Sequence, residues 1–311
     1  MLAKLKILLI LLLLLPAIIQ GEEDIPQIYS QAVGLYEEGN YKEAKKLFNK
    51  SAKEYSDTSW QYYSRIYIAK CWSKLGKKEK AFDELNKLLE EISVNELNIY
   101  ASAMEELSDL GESKAINRIK ELLSNSPVKD VRKKAAQLLG NVKEIDLKEH
   151  LQFLLDSLKF EKEQDIVKEI SDSIYRLGSV DTDKVINMYK KADRALKEKL
   201  LYLFSKYDDE DMIMTLQEES ERAAFSIKNY ISWALATMDP YRFASSFKGK
   251  LKKEEDGGYI LYSVNSKLKL YSPSLKQETT PEFEELVGKM ITVYGVETEG
   301  GIIYTEVFQT K

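Results

Sequence analysis

An internal repeat is the feature that most constrains how this chain can fold. Residues 32–48 align without a gap with residues 69–85. Small residues allow two helices to approach closely, large residues fill the space beyond them, and glycine permits the turn between them. The matched positions are Ala32 with Ala69, Leu35 with Trp72, Gly39 with Gly76, Ala44 with Ala81 and Phe48 with Leu85. The repeat predicts helical hairpins that stack, because each unit buries its apolar face only against its neighbours.

These two segments resemble the tetratricopeptide repeat over about residues 25–92. They depart from it in a period longer than the usual one of about 34 residues, and in lacking a proline at the end of each repeat. The resemblance implies that the first helix of each unit lines a concave groove that binds a peptide or a partner helix. Carried over by position, the groove residues are Tyr29, Val33, Tyr36, Glu37, Tyr63, Ile66, Lys70 and Lys74.

The aromatic residues of these repeats leave two interpretations open. The lysine–asparagine clamp that some family members use for a terminal carboxylate is not matched, because Tyr29 and Val33 occupy those places. A hydrophobic partner segment would suit the tyrosines, which offer large contact area at low entropic cost. In the alternative interpretation the aromatic side chains pack only against neighbouring repeats.

A second type of helical segment follows. SPVKDVRKKAAQLLG (126–140) resembles the second helix of a HEAT repeat. Its apolar residues fall on one helical face and its charged residues on the other, which predicts a solvated face rather than a nucleic-acid helix. Weaker segments of the same kind end at Gly111, Gly178 and Pro240. We expect HEAT-like helical pairs over residues 93–242. The apolar positions of the segment are Val131, Ala135, Leu138 and Leu139, opposite Lys133, Lys134 and Gln137.

The pattern changes to β after Arg242. Three predicted strands within 247–274, a short helix at 281–288, and strands at 289–296 and 301–308 follow the order found in an OB-fold barrel. An SH3-like barrel or an unclosed sheet is the alternative. Tyr259, Met290 and Tyr294 are the expected outward-facing residues, either for a ligand or for docking onto the last helical pair or a partner. Basic and acidic residues balance across 248–311, which disfavours nucleic acid.

Residues 1–21 have the layout of a secretory signal peptide. Lys4 and Lys6 precede an apolar run at 7–19, and acidic residues follow it. The run is shorter than the roughly 18 to 20 residues that span a bilayer. Cleavage after Gly21, cleavage after Ala17 and an uncleaved anchor all remain open. We expect an exported protein, periplasmic or associated with the cell envelope, and secreted if there is no outer membrane.

The residues of catalysis and metal binding are sparse. His150, the sole histidine, is expected to be a capping or surface residue rather than an acid–base group. Cys71, the sole cysteine, excludes an intrachain disulfide and is expected to be a buried thiol. The acidic run 208–211 lacks the ligand pattern of a calcium loop and is expected to cap the next helix. A hydrolase that uses carboxylates alone has no distinguished pair to support it. No metal or cofactor is expected.

The sequence thus predicts a mainly α fold, an α–α superhelix of tetratricopeptide-like and HEAT-like repeats followed by a small all-β OB-like barrel. The predicted domains are a signal peptide (1–21), tetratricopeptide repeats (22–92), HEAT-like repeats (93–242) and the barrel (243–311). The predicted function is a non-enzymatic exported scaffold that binds proteins or peptides through the concave surface of the solenoid. The alternative is a protein that binds cell-wall glycan or another ligand through the barrel. The net charge of −5 argues against a nucleic-acid partner, and membrane contact is expected only if the leader is retained.

Overall fold

The computed structural model describes residues 25–93, 96–142, 147–178, 180–263, 266–271, 281–298 and 301–309. The predicted leader lies outside these residues. The chain divides into two compact units between Leu110 and Gly111. The first unit contains the helices α1 (Gln27–Glu37), α2 (Tyr41–Glu54), α3 (Ser59–Lys74), α4 (Lys78–Glu91) and α5 (Leu97–Asp109).

The second unit begins with nine helices and ends in five strands with a further short helix among them, counted over the described residues. The helices are α6 (Ser113–Asn125), α7 (Lys129–Leu139), α8 (Leu147–Phe160), α9 (Gln164–Leu177), α10 (Thr182–Lys191), α11 (Arg194–Phe204), α12 (Glu210–Arg222), α13 (Phe225–Met238) and α14 (Pro240–Phe243). The remaining elements are β1 (Ser245–Lys253), β2 (Tyr259–Tyr262), β3 (Lys267–Tyr271), α15 (Pro281–Leu286), β4 (Met290–Thr298) and β5 (Gly301–Gln309).

The repeat in the first unit appears as two helical hairpins with the same turn. Gly39 follows α1 with φ 81° and Gly76 follows α3 with φ 73°, a left-handed conformation that glycine adopts without strain. The N–H of Gly39 donates to the carbonyl of Tyr36 at 3.0 Å, and that of Gly76 donates to the carbonyl of Ser73 at 2.9 Å. The predicted repeat is therefore present in the backbone. Of the matched positions, Leu35 and Trp72 are half-buried, and the buried ones are Ala32, Ala44, Phe48, Ala69, Ala81 and Leu85.

The helices of the second unit pack in an alternating order. Each of α7, α9, α11 and α13 contacts the next in that series, while α6, α8 and α12 pack against α7, α9 and α13. In α7 the apolar face predicted from the sequence is the buried one, with Val131 2% and Leu138 8% exposed. Lys133 and Lys134 are partly exposed and Gln137 is exposed. The expected packing of helices in pairs is therefore confirmed for this region.

The strands form a closed barrel in the order β1-β2-β3-β5-β4. All neighbouring strands are antiparallel except β3 and β5, which pair in parallel. The predicted order of three strands, one helix and two strands is confirmed, and the alternative of an unclosed sheet is wrong. The interior is filled by Leu251, Tyr259, Leu261, Leu270, Phe283, Ile291, Val293 and Ile302. Strands β4 and β5 also pack against α13, so the barrel continues from the helical part of its unit.

The predicted fold class, mainly α with a small C-terminal barrel, is confirmed. The boundaries predicted at residues 92 and 242 stay predictions. Across the described ranges, no helix has the length and apolar character needed to cross a membrane.

Candidate binding surfaces

Aromatic rings from three helices meet in the interior of the first unit. The ring centroid of Tyr67, in α3, lies 4.8 Å from that of Phe48 in α2. It lies 5.8 Å from Tyr29 and 5.4 Å from Tyr36, both in α1. Such tilted and stacked pairs add stability beyond the apolar area they bury. Many aromatic residues of this region therefore serve the core of the first unit.

Of the residues predicted to line the groove, two are in that core. Tyr29 is 9% exposed and Ile66 is 4% exposed. Burial raises the pKa of the Tyr29 hydroxyl well above its ordinary value. The other six stay accessible in part, and we call them the α1–α3 face. They are half-buried Val33, Tyr36, Tyr63 and Lys70, and exposed Glu37 and Lys74.

Lys70 is held on the α1–α3 face by an ion pair. Its Nζ lies 2.7 Å from Oε1 of Glu106 in α5 and 4.9 Å from the ring centroid of Tyr67. Burial favours the neutral amine, but the carboxylate of Glu106 outweighs it and raises the pKa of Lys70. This contact fastens α3 to α5. The sequence offered no signal for Glu106, because it lies outside the aligned repeats.

Trp72 lies among three lysine side chains. The Nζ atoms of Lys45, Lys80 and Lys77 are 3.9, 4.9 and 5.1 Å from its ring centroids. The amines come from α2, from α4 and from the residue just before α4, and each can make a favourable cation–π contact. The half-buried indole thereby links three consecutive elements of the repeat.

On the barrel, the predicted outward orientation is wrong for one of the three residues. Tyr259 is 4% exposed, and its ring lies 5.0 Å from that of Phe283 in α15. It stands opposite Leu270, whose side chain belongs to the barrel interior, so the register places both on the inner face. Met290 is 46% exposed, as predicted. Tyr294 is half-buried.

A row of lysines on the barrel was missed in the sequence. Lys248, Lys250 and Lys252 occupy alternate positions of β1 and are all exposed, while Gly249 and Leu251 between them are buried. The alternation was present in the sequence as a signal. The near balance of nine basic and ten acidic residues across 248–311 concealed it, because a count carries no information on which face a charge occupies.

A cavity of about 490 Å³ lies among α6, α7, α8 and α9. One wall holds Arg132, whose Nε and Nη2 donate to the two carboxylate oxygens of Glu161 at 2.9 and 3.1 Å. Burial would raise the pKa of Glu161, but hydrogen bonds from Arg132 and from backbone N–H groups hold it below its ordinary value. Phe160, 80% exposed, lies at the rim. Arg132 and Glu161 thus neutralise each other, and Asp156 of the lining pairs with Lys159 at 2.6 Å.

Of the groups considered for catalysis or metal binding, His150 and Cys71 are buried and Asp209 caps a helix. His150 is 2% exposed, so the expectation of a surface histidine is wrong. It shares the buried face of α8 with Leu154 and Leu158, one and two turns further on. Cys71 is buried as predicted, and burial raises the pKa of its thiol to about 11. The carboxylate of Asp209 accepts the N–H of Met212 at 3.0 Å, the predicted cap of α12.

A search of the described part of the chain finds no group of histidine, cysteine and carboxylate side chains placed to hold a metal ion. In comparisons with known proteins, neither a family model nor a curated protein matches the chain.

Proposed function

We propose that this protein is a non-enzymatic exported scaffold that captures a partner protein or peptide on the α1–α3 face. The observation that supports this proposal most directly is the make-up of that face. Tyr36 and Tyr63 pack against the core but stay partly accessible, and the same two helices carry exposed Glu37 and Lys74. Tyrosine combines a rigid apolar ring with a polar tip, and is enriched where proteins contact each other.

The helices behind the face are suited to holding it rigid. Tyr36 packs its ring 5.3 Å from Tyr41 and 5.4 Å from Tyr67, and both contacts tie it to other helices. Lys70 is fixed by Glu106. Side chains that are ordered before binding lose less entropy when a partner arrives. The proposed site is therefore preorganised on helices rather than carried by a loop.

We further propose that the hairpins α1–α2 and α3–α4 are tetratricopeptide repeats, that α6–α13 are HEAT-like pairs, and that the barrel is of the OB type. The equivalent turns at Gly39 and Gly76 support the first assignment. The alternating packing of α7, α9, α11 and α13 supports the second. The assignment of the barrel to the OB type is supported by its strand order, in which the parallel pair of β3 and β5 closes the barrel. Export and a cell-envelope location belong to the same proposal and are supported by residues 1–21.

Photo-crosslinking in intact cells tests the face. A photoreactive phenylalanine analogue is placed at Glu37 or at Lys74, both exposed and outside the core. We expect a discrete adduct with one partner from both positions. The same analogue at exposed Lys50 of α2 is the control and should give none. Equal adducts from all three positions, or none from any, would refute the face as the contact.

A charge exchange then tests specificity without altering net charge. With the photoreactive analogue moved to half-buried Tyr63 of the same face, the double variant Glu37→Lys with Lys74→Glu should abolish the adduct that this position gives, because a complementary partner now meets like charges. The matched control exchanges Lys50 and Glu54, which are exposed on α2 and have the same chemistry. Loss of the adduct in both double variants would mean that the effect is not specific to the face.

A further inference from the structure

The lysine row on the barrel comprises Lys248, Lys250 and Lys252 of β1. Lys248, Lys250 and Lys252 alternate along β1, so their side chains point to the outer face at intervals of about 6.8 Å. Among the described residues, none of the three forms an ion pair with a carboxylate. Three ammonium groups at this spacing repel one another, and a bound anion would offset that repulsion.

The two lysines of β3 on this outer face are neutralised. Lys267 and Lys269 of β3 lie 3.7 and 3.2 Å from carboxylate oxygens of Glu254, and Lys269 also lies 3.5 Å from Asp256. The excess positive charge is therefore concentrated on β1. It stands out in a chain whose net charge is −5.

Apolar side chains border the row on both sides. The register places Met290 of β4 and Tyr262 of β2 directly opposite Lys250, so all three share the outer face. Met290 is 46% exposed. The Nζ of Lys252 lies 4.4 Å from the ring centroid of Tyr262. Val287, in the turn before β4, is also 40% exposed.

We propose that this face of the barrel docks on an anionic lipid surface. The ammonium groups of the β1 row lie at the level of the headgroup phosphates, and Met290 reaches the boundary of the acyl chains. Lipid is favoured over a soluble polyanion for two reasons. The outside of a closed barrel is convex, so it can rest on a plane but cannot enclose a chain, and an exposed methionine gains little from a phosphate polymer. The contact goes beyond the proposed scaffold function and requires no retained leader.

Vesicle flotation tests the proposal with the full chain. The probes are phosphatidylcholine vesicles with and without phosphatidylglycerol, and soluble polyphosphate. The triple variant Lys248→Gln, Lys250→Gln, Lys252→Gln should bind phosphatidylglycerol vesicles roughly a hundredfold more weakly, at about fivefold per lysine. The experiment is repeated on residues 22–311, which keep every described residue, so that the apolar run at 7–19 contributes no affinity of its own.

Two matched controls separate location from composition. The first removes the same charge from α2, with Lys42→Gln, Lys50→Gln and Lys53→Gln, all exposed positions. The second compares Met290→Ser with Met214→Ser of α12, which is 50% exposed. We expect weaker vesicle binding from Met290→Ser and no change from either control.

Each outcome of these experiments either supports or overturns the proposal. Loss confined to the β1 row and to Met290, with binding only to vesicles that contain phosphatidylglycerol, supports the proposal. Equal loss from both lysine triples, equal binding to phosphatidylcholine alone, or no vesicle binding at all would overturn it. Binding to polyphosphate in place of vesicles, or an unchanged Met290→Ser variant, would overturn the lipid assignment and leave a face for a soluble anion. The crosslinking at Glu37 and Lys74 is unaffected by any of these results, so the two proposals fail separately.

Discussion

At the contact between α7 and α9, the absence of a side chain at Gly140 decides how closely the helices approach. A Cβ atom there would lie 2.6 Å from both Cβ and Oγ of Ser173 and 2.7 Å from its Cα. Ser173 uses the proximity to donate a 2.8 Å hydrogen bond to the carbonyl of Ala136. Glycine is needed here for the close approach of the two backbones and not for its dihedral angle, since the φ of Gly140 is an ordinary −71°.

Gly140→Ala should therefore destabilise the second unit by about 1–3 kcal/mol, the usual cost of overpacking a close contact. The backbone of Ser173 must move, because one of the atoms in conflict is its Cα. Urea unfolding followed by circular dichroism measures the effect.

Gly34→Ala is the matched control. Gly34 lies inside α1, and a Cβ there would meet nothing within 4 Å. The change should stabilise the first unit by about 0.5–1 kcal/mol through helix propensity alone. A Gly140→Ala protein as stable as the Gly34→Ala protein would show that the close contact carries no such cost.

Cys71 yields a second prediction at this scale. Its thiol is fully buried, and burial raises its pKa to about 11, above the ordinary 9.0. Only the thiolate reacts readily, so the thiol should resist a thiol reagent at pH 8 in the folded protein. It should react at once in urea. Because the chain has one cysteine, reaction reports unfolding of the first unit alone. Rapid reaction under native conditions would contradict the buried position.

Single residues also show how far the sequence could predict the candidate sites. Helical periodicity placed Ala44, Ala81 and Val131 on buried faces, because an apolar face has to be covered. His150 and Tyr259 were misplaced for the opposite reason. A polar or amphipathic side chain fits either face, and only the packing of Leu154 or Phe283 beside it decides which. Amphipathic Tyr29 was misplaced in the same way, whereas Ile66 was misplaced because the family's groove position was carried over although an apolar side chain favours the core.

Among the elements, α7 is joined to the turn after α8 by a two-pronged ion pair. Arg132 and Glu161 are largely buried, with side chains 17% and 8% exposed. Arg132 also donates to the carbonyl of Ser126 at 3.0 Å, at the end of α6. One guanidinium thus holds three elements around the cavity, and a bidentate pair restrains both distance and angle.

Glu161→Gln should destabilise the second unit by about 3 kcal/mol at pH 7, since it leaves a buried guanidinium without its counter-charge. The pKa of Glu161 lies below its ordinary 4.5, so its stabilising contribution is complete above that value. The contribution disappears as pH falls through the lowered folded-state pKa. The difference in unfolding free energy between wild type and variant should therefore shrink from pH 4.5 downward.

Glu218→Gln is the control for the loss of one carboxylate, because Glu218 is exposed on α12. This variant should lose less than about 0.5 kcal/mol of unfolding free energy at pH 7, as is usual for a surface substitution. A Glu161→Gln deficit that persists unchanged at low pH would mean that the side chain acts through packing rather than charge.

Elements were predicted better from local signals than from distant ones. The turns at Gly39 and Gly76 and the cap at Asp209 each depend on a few adjacent residues, and all were confirmed. The parallel pairing of β3 with β5 depends on strands separated by α15 and β4. No local pattern encodes such a pairing, so barrel closure could be expected only by analogy with a known strand order.

At the scale of the whole molecule, the two proposed contacts use different physics. The α1–α3 face offers partly accessible tyrosines together with exposed Glu37 and Lys74, which favours a specific protein surface. The β1 row offers three like charges beside Met290, which favours an extended anionic surface. Salt should weaken the second contact far more than the first, because exposed charges are screened and buried apolar area is not.

The position at which the first unit ends gives the last prediction. The repeat resemblance stops near residue 92, but the compact unit extends to Leu110 and includes α5. That helix buries Tyr100, Met104 and Leu107, and Lys70 and Lys78 bond to Glu106 and to the carbonyl of Leu110. A fragment of residues 22–110 should therefore fold alone with a cooperative thermal transition. A fragment of residues 22–92 should melt at a lower temperature, because α3 and α4 lose the helix that covers them. Equal melting temperatures would show that α5 is not part of the unit's stabilising core.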